Sequence, residues 1–144
     1  MESPQIWGPH LWIILHSLAE RIKGNSQEER RLWSGLLSNL RFTLPCPQCK
    51  KHYSEYYASN KISENSEIRL WLYNLHNQVN IQTGKECIPV EELSVYSKPF
   101  NFTQHVSFIH KHMISAIRYK CCKRDDIQCI TRLLNEIKCF YDLF

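Results

Sequence analysis

Apolar residues along this chain recur at the three-to-four spacing of an α-helix with one buried face. Leu11, Ile14, Leu15, Leu18 and Ile22 form the first such stripe, opened by Pro9 and ended by Gly24-Asn25, with Trp12 and His16 one turn apart on its flank. Ser26 and Glu29 then have capping-box spacing, and Leu32, Trp33, Leu36, Leu37 and Leu40 make the buried face of a second helix that stops before Pro45. A third helix is predicted to begin inside Cys46-Pro47-Gln48-Cys49, with Pro47 in its first turn, and to carry His52, Tyr53, Tyr56 and Tyr57 toward Asn60. A fourth, from Ser66 to Gln82, places Ile68, Leu72, Leu75 and Val79 on one stripe and Tyr73, His76, Asn77 and Asn80 on its neighbour. The first stripe is core, whereas the second has to face something that can use its hydrogen bonds.

From Ile88 to Asn101 two prolines and mixed polar residues predict a connector. Two more amphipathic helices follow. One covers Thr103 to Lys120 with Val106, Ile109, Met113 and Ile117 inward; the other is capped at Asp125-Asp126, with Ile127, Ile130, Leu134 and Ile137 inward. Only four glycines are present and no run alternates apolar and polar residues for long, so the expected fold class is all-α. With 144 residues and 43% apolar composition, the chain is long enough for one domain with an appendage, divided here as residues 1–99 and a helical C-terminal extension over 100–144.

Charge adds little. The formal net charge of +4 is spread among interleaved acidic residues, which argues against nucleic acid as a partner. No apolar stretch approaches the ~18 residues of a membrane span, and Met1 to Gln5 lack the regions of a signal peptide, so a cytoplasmic protein is expected.

Cysteine changes the picture. Seven cysteines are many for a cytosolic chain of this size, where thiols usually serve metal or redox chemistry. Cys46 and Cys49, spaced by two at a helix start, can exchange electrons or hold a metal. In the redox reading, unpaired backbone N–H groups and the helix dipole favour a thiolate there, and the pair can close a disulfide. In the metal reading, Cys46, Cys49 and His52 would be three zinc ligands of a helical binding module without catalysis, completed from Cys87, His105, His110, His112 or the late cysteines. No second pair shows standard ligand spacing. A redox dithiol needs an electron acceptor, and Trp12 and His16 with His76, Asn77 and Asn80 could wall a cofactor pocket between facing helices. Taken singly, each reads first as structural, His76 and Asn77 as ordinary exposed helix residues and Trp12 as core.

Taken together, Trp7-Gly8, Trp12, Leu15-His16-Ser17-Leu18-Ala19, Leu44-Pro45-Cys46-Pro47-Gln48-Cys49, Trp71 and Leu75-His76-Asn77-Gln78-Val79-Asn80 with Gly84-Lys85 resemble the Erv/ALR family of FAD-linked sulfhydryl oxidases, over Ile6 to Lys85. The run Trp7-Gly8-Pro9-His10-Leu11-Trp12 and the Leu44-Pro45-Cys46 entry are most similar to the short members of large cytoplasmic DNA viruses, the poxvirus and African swine fever virus types, which implies a viral source and a link to virion assembly. The resemblance implies an FAD-binding four- to five-helix bundle, usually a homodimer, that oxidises protein dithiols, among them thioredoxin-like or small CxxC carriers. Dioxygen takes the electrons and becomes hydrogen peroxide. It further implies that Cys46 meets the substrate thiolate, that Cys49 faces the flavin, and that Gly8, Trp12, His16, Cys49, His76, Asn77, Val79, Asn80 and Lys85 contact the cofactor. Three departures stand out. Pro9 replaces an arginine common in cellular members; Tyr73 replaces a cysteine that often pairs further on, so that structural disulfide is expected to be missing; and a second, mobile CxxC has no counterpart. Cys121, Cys122, Cys129 and Cys139 lie beyond the matched region, where a structural crosslink, a shuttle or free thiols are all open.

Overall fold

The computed structural model describes residues 3–144. Six α-helices follow one another there: α1 (Pro4–Ala19), α2 (Gln27–Thr43), α3 (Pro47–Ser59), α4 (Ile68–Gln82), α5 (Phe102–Ile117) and α6 (Arg124–Phe140). Short 3₁₀ turns precede α4 at Asn65–Glu67 and fill the connector at Val90–Ser97. The described residues form the all-α class expected from periodicity and the helical bundle that the resemblance implies.

Local chemistry moves two boundaries. α1 opens at Pro4 rather than Pro9, because Ser3 caps it, its Oγ accepting from Gln5 N at 3.2 Å, and Pro4 takes the first helical position. Pro9 therefore lies inside the helix, in its second turn, where it has no N–H to donate to the Gln5 carbonyl. The helix also stops at Ala19, short of Gly24, since the Lys23 and Gly24 N–H groups donate to the Glu29 carboxylate at 2.8 and 3.0 Å and draw the chain out of helical register. Only half of the capping box forms at α2: Ser26 Oγ accepts from Glu29 N at 3.2 Å, while the Glu29 side chain serves the preceding loop. At α6, Lys123 is the cap and Asp125-Asp126 sit in the first turn, where the helix dipole favours carboxylates.

Packing is organised around α1 and α2. α6 lies along α2 and α5 along α1, while α3 packs on α2 and α4 on α1. Leu18, Leu32, Trp33, Leu36, Leu72, Ala116 and Ile130 belong to one continuous core, so the last two helices share their apolar faces with the first two. A buried polar relay locks this arrangement. Trp33 Nε1 donates to Tyr141 Oη at 2.9 Å, and Tyr141 in turn donates to Glu29, which is 1% exposed. Among the described residues no helix is long and apolar enough to cross a membrane.

Candidate active site: a dithiol at a helix start and an aromatic–imidazole cluster

Leu44 ends α2 in extended conformation, and a two-residue link returns the chain into α3. Cys46 is the N-cap of α3. Its Sγ accepts from Cys49 N at 3.2 Å and its own N–H donates to Leu44 O at 2.8 Å, so both sulfurs are held on the first turn, half-buried. α3 is in turn fixed by aromatic residues one and two turns along. Tyr53 donates to Leu37 O on α2, Tyr56 donates to Trp71 O on α4 at 3.0 Å, and the rings of Tyr53, Tyr56 and Tyr57 surround Trp71 edge-on.

Cys46 and Cys49 are present as thiols. Burial, reinforced by the neighbouring Cys46, pushes the Cys49 thiol up to about 12. This corrects the expectation that the helix start favours a thiolate at both positions: in the dithiol form burial outweighs the helix N-terminus at Cys49 and keeps that thiol protonated at neutral pH.

α1 and α4 meet through a second cluster. The Trp12 and His76 rings lie parallel, 4.0 Å between centroids and 5° between planes, and His16 Nε2 and His76 Nδ1 are 2.9 Å apart, so one of these nitrogens must carry the proton. Tyr96, from the connector, stacks on His16 at 4.8 Å. Burial, then the neighbouring charges of His76 and Arg69, lowers His16 to about 3. Burial followed by nearby Lys85 lowers His76 to about 4. Both imidazoles are neutral at pH 7 and present one donor and one acceptor each.

The remaining sequence-predicted residues take distinct places. Asn77 turns both ends of its amide to one residue, accepting from Ile88 N at 2.8 Å and donating to Ile88 O at 3.1 Å, and thereby pins the loop after α4. Tyr73 donates to the same carbonyl at 2.7 Å, a second hydrogen-bonded tie between α4 and that loop. Asn80 is buried, reaches Asn77 Oδ1 at 3.4 Å and accepts the Lys85 N–H on its backbone oxygen at 2.8 Å. Val79 packs against the core, and Lys85 is exposed beyond Gly84, whose φ of 75° makes the turn. Gly8 borders open space: a Cβ there would meet nothing within 4 Å. Tyr96 escaped the sequence reading because the connector shows no periodicity; its signal was an aromatic between two prolines, placed by Arg21, which donates to Tyr96 O at 3.2 Å and Lys98 O at 3.1 Å.

These residues suit a flavin dinucleotide. Flat rings of Trp12, His16, His76 and Tyr96 offer stacking faces and imidazole edges; Trp7 Nε1 is buried without a partner; and Lys85 supplies a cation suited to phosphate. Two clefts of about 910 and 530 Å³ lie elsewhere, against α6 and beside the Asn60–Ile68 loop, and neither is lined by these rings. A zinc centre finds less support, since no group of three or more His, Cys, Asp or Glu among the described residues is placed to hold a metal ion.

A helical bundle with a dithiol at one helix start and an aromatic–imidazole cluster joined to it through α4 defines a helical redox protein. The sequence profile of the Erv1/Alr family matches residues 9–99, and the chain belongs to that family. Similar proteins include the "Probable FAD-linked sulfhydryl oxidase R368" of Acanthamoeba polyphaga mimivirus, 28% identical over 62% of this chain and 67% of that protein. FAD-linked sulfhydryl oxidase ERV1 of Arabidopsis thaliana is 30% identical over 60% of this chain and 47% of its own length. Sulfhydryl oxidase 1 of Oryza sativa is 31% identical over 53% of this chain and only 15% of its own.

Proposed function

We propose that this chain is an FAD-linked sulfhydryl oxidase that forms disulfides in protein dithiols and delivers the electrons to dioxygen, giving hydrogen peroxide. The observation that carries this reading is the Cys46–Cys49 pair held on the first turn of α3, in a chain whose residues 9–99 match the Erv1/Alr family.

The roles follow from position. With the pair oxidised, a substrate thiolate attacks Cys46 Sγ, the N-cap sulfur, and a second substrate thiol resolves the mixed disulfide, so that one substrate disulfide forms and Cys46 and Cys49 become thiols. Cys49, whose thiol burial keeps protonated in the dithiol form, is then the member from which the pair would be reoxidised. FAD, when bound, supplies the two-electron acceptor that amino-acid side chains lack. Trp12, His16 and His76 would hold it, Gly8 would give it backbone access, Asn80 and Val79 would line its edge, and Lys85 would meet a phosphate. Asn77 would act through the loop it pins. Neutral His16 and His76 add no positive charge to the site.

The substrates in this reading are protein dithiols, including small CxxC carriers, and the working unit is a homodimer, for which exposed Ile6 on α1 and Leu70 and Ile81 on α4 offer apolar contact. Sedimentation at micromolar concentration distinguishes dimer from monomer. Oxygen uptake with dithiothreitol tests the chemistry: Cys49→Ser should retain flavin and lose more than 99% of uptake, whereas an unchanged rate in that variant would refute the assignment.

A further inference from the structure

Two of the late cysteines lie behind the dithiol. Lys120, at a left-handed φ of 60°, turns the chain after α5, and the Cys121 N–H closes that turn on Ala116 O at 3.1 Å. The turn drives Cys121 and Cys122 inward, where both are buried, 7% and 4% exposed. Their thiols converge on the end of α2: Cys121 Sγ reaches Leu44 O at 3.6 Å, and Cys122 Sγ reaches Leu44 O at 3.6 Å and Thr43 O at 3.5 Å. Leu44 O is also the acceptor of the Cys46 N–H, at 2.8 Å. Lys50, the residue after Cys49, donates its ammonium to Cys121 O and ties the first turn of α3 to this corner. Burial raises the Cys49 thiol first and most, with Cys121 among the neighbouring thiols that add to it.

Weak donation to helix-end carbonyls would by itself place a thiol here. The Lys50 tie adds a second constraint, holding the Cys121 backbone against the first turn of α3, which carries Cys49.

We propose that Cys121 is a third member of the redox centre, exchanging into the Cys46–Cys49 disulfide to give an alternative Cys49–Cys121 disulfide. This rests on the oxidase reading for its physiological setting, since the oxidised pair is the product of that activity. In the exchange, the Cys121 thiolate attacks Cys49 Sγ; the Cys49–Cys121 bond forms as the Cys46–Cys49 bond breaks, and Cys46 leaves as a thiolate that takes up the proton Cys121 gave up. The number of disulfides and electrons is unchanged, so no further oxidant is required. The result is a stored oxidised form in which the inner sulfur is withdrawn and Cys46 is a free thiol.

Disulfide mapping tests this directly. The full chain carrying Cys46→Ser, oxidised with diamide, alkylated and digested, should yield a Cys49–Cys121 linked peptide within one chain, with both residues lost from the alkylated pool. If that variant folds poorly, the wild-type chain equilibrated in a glutathione redox buffer should show the same linked peptide together with alkylated Cys46. Cys121 remaining fully alkylated in folded protein under both conditions, whatever Cys49 joins, would overturn the proposal. Dithiothreitol-driven oxygen uptake by the wild type separates the two readings: uptake without the linked peptide removes only Cys121, and the linked peptide without uptake removes only the oxidase.

Discussion

At the scale of single residues, the site is defined by what burial does to ionisable groups. His16 and His76 sit against each other with N–N contact at 2.9 Å, and both are depressed, to about 3 and about 4. The unfolded chain, with histidines near 6.5, takes up protons first as pH falls, so the stability these groups share in is fully present above about pH 6.5 and declines from there toward about pH 3. Thermal midpoints should therefore be flat across neutral pH and drop through that window, and His76→Gln should shrink the drop. A midpoint independent of pH in wild type would show the pair is not buried as a neutral unit. Trp12 makes a separate prediction. Its ring stacks on His76, and loss of one aromatic stacking partner is worth about 0.5–1.5 kcal/mol, so Trp12→Ala should weaken FAD retention roughly two- to tenfold in equilibrium dialysis. Retention equal to wild type would remove Trp12 from the cofactor site.

At the scale of helices, the apolar period of the chain announced nearly everything. The stripes of α2, α4, α5 and α6 became buried faces because a 3.6-residue period leaves little alternative for Leu32 to Leu40 or Ile127 to Ile137. What periodicity could not announce was local competition, such as Ser3-Pro4 opening α1 ahead of Pro9 and Glu29 reaching backward into a loop. Site residues on stripes, Trp12, His16 and His76, were legible for the same reason. Tyr96 and the Cys121–Cys122 corner were not, because their places depend on a connector and a turn that only tertiary packing sets. The α2–α6 contact carries its own test. A Cβ on Gly35 would lie 3.0 Å from a Leu133 methyl, so α6 runs close to α2 there. Gly35→Leu should cost about 1–3 kcal/mol by overpacking, read as a lower urea midpoint, whereas Gly35→Ala should be nearly neutral because Leu133 can move and alanine favours the helix.

At the scale of the molecule, the family match ends at residue 99, yet α5 and α6 complete the core of α1 and α2. We propose that residues 100–144 are an extension on which this chain's folding depends. A chain ending at Pro99 exposes Trp33, Leu36 and Leu40 and leaves Glu29 without Tyr141, and it should show no cooperative unfolding. Within the full chain, Tyr141→Phe should cost about 1–3 kcal/mol by leaving the buried carboxylate under-satisfied, measured by urea denaturation. Cooperative folding of the shortened chain would make the extension an appendage in the strict sense.

In the proposed reaction Cys46 and Cys49 pass electrons to a bound flavin. Anaerobic titration of the purified protein with dithiothreitol, followed in the visible spectrum, tests it most directly. The purified protein should be yellow, with a flavin band that bleaches with dithiol and returns on admitting oxygen, and the Cys49→Ser variant should stay yellow and not bleach. A folded protein that is colourless, or whose flavin bleaches equally fast without Cys49, would contradict it.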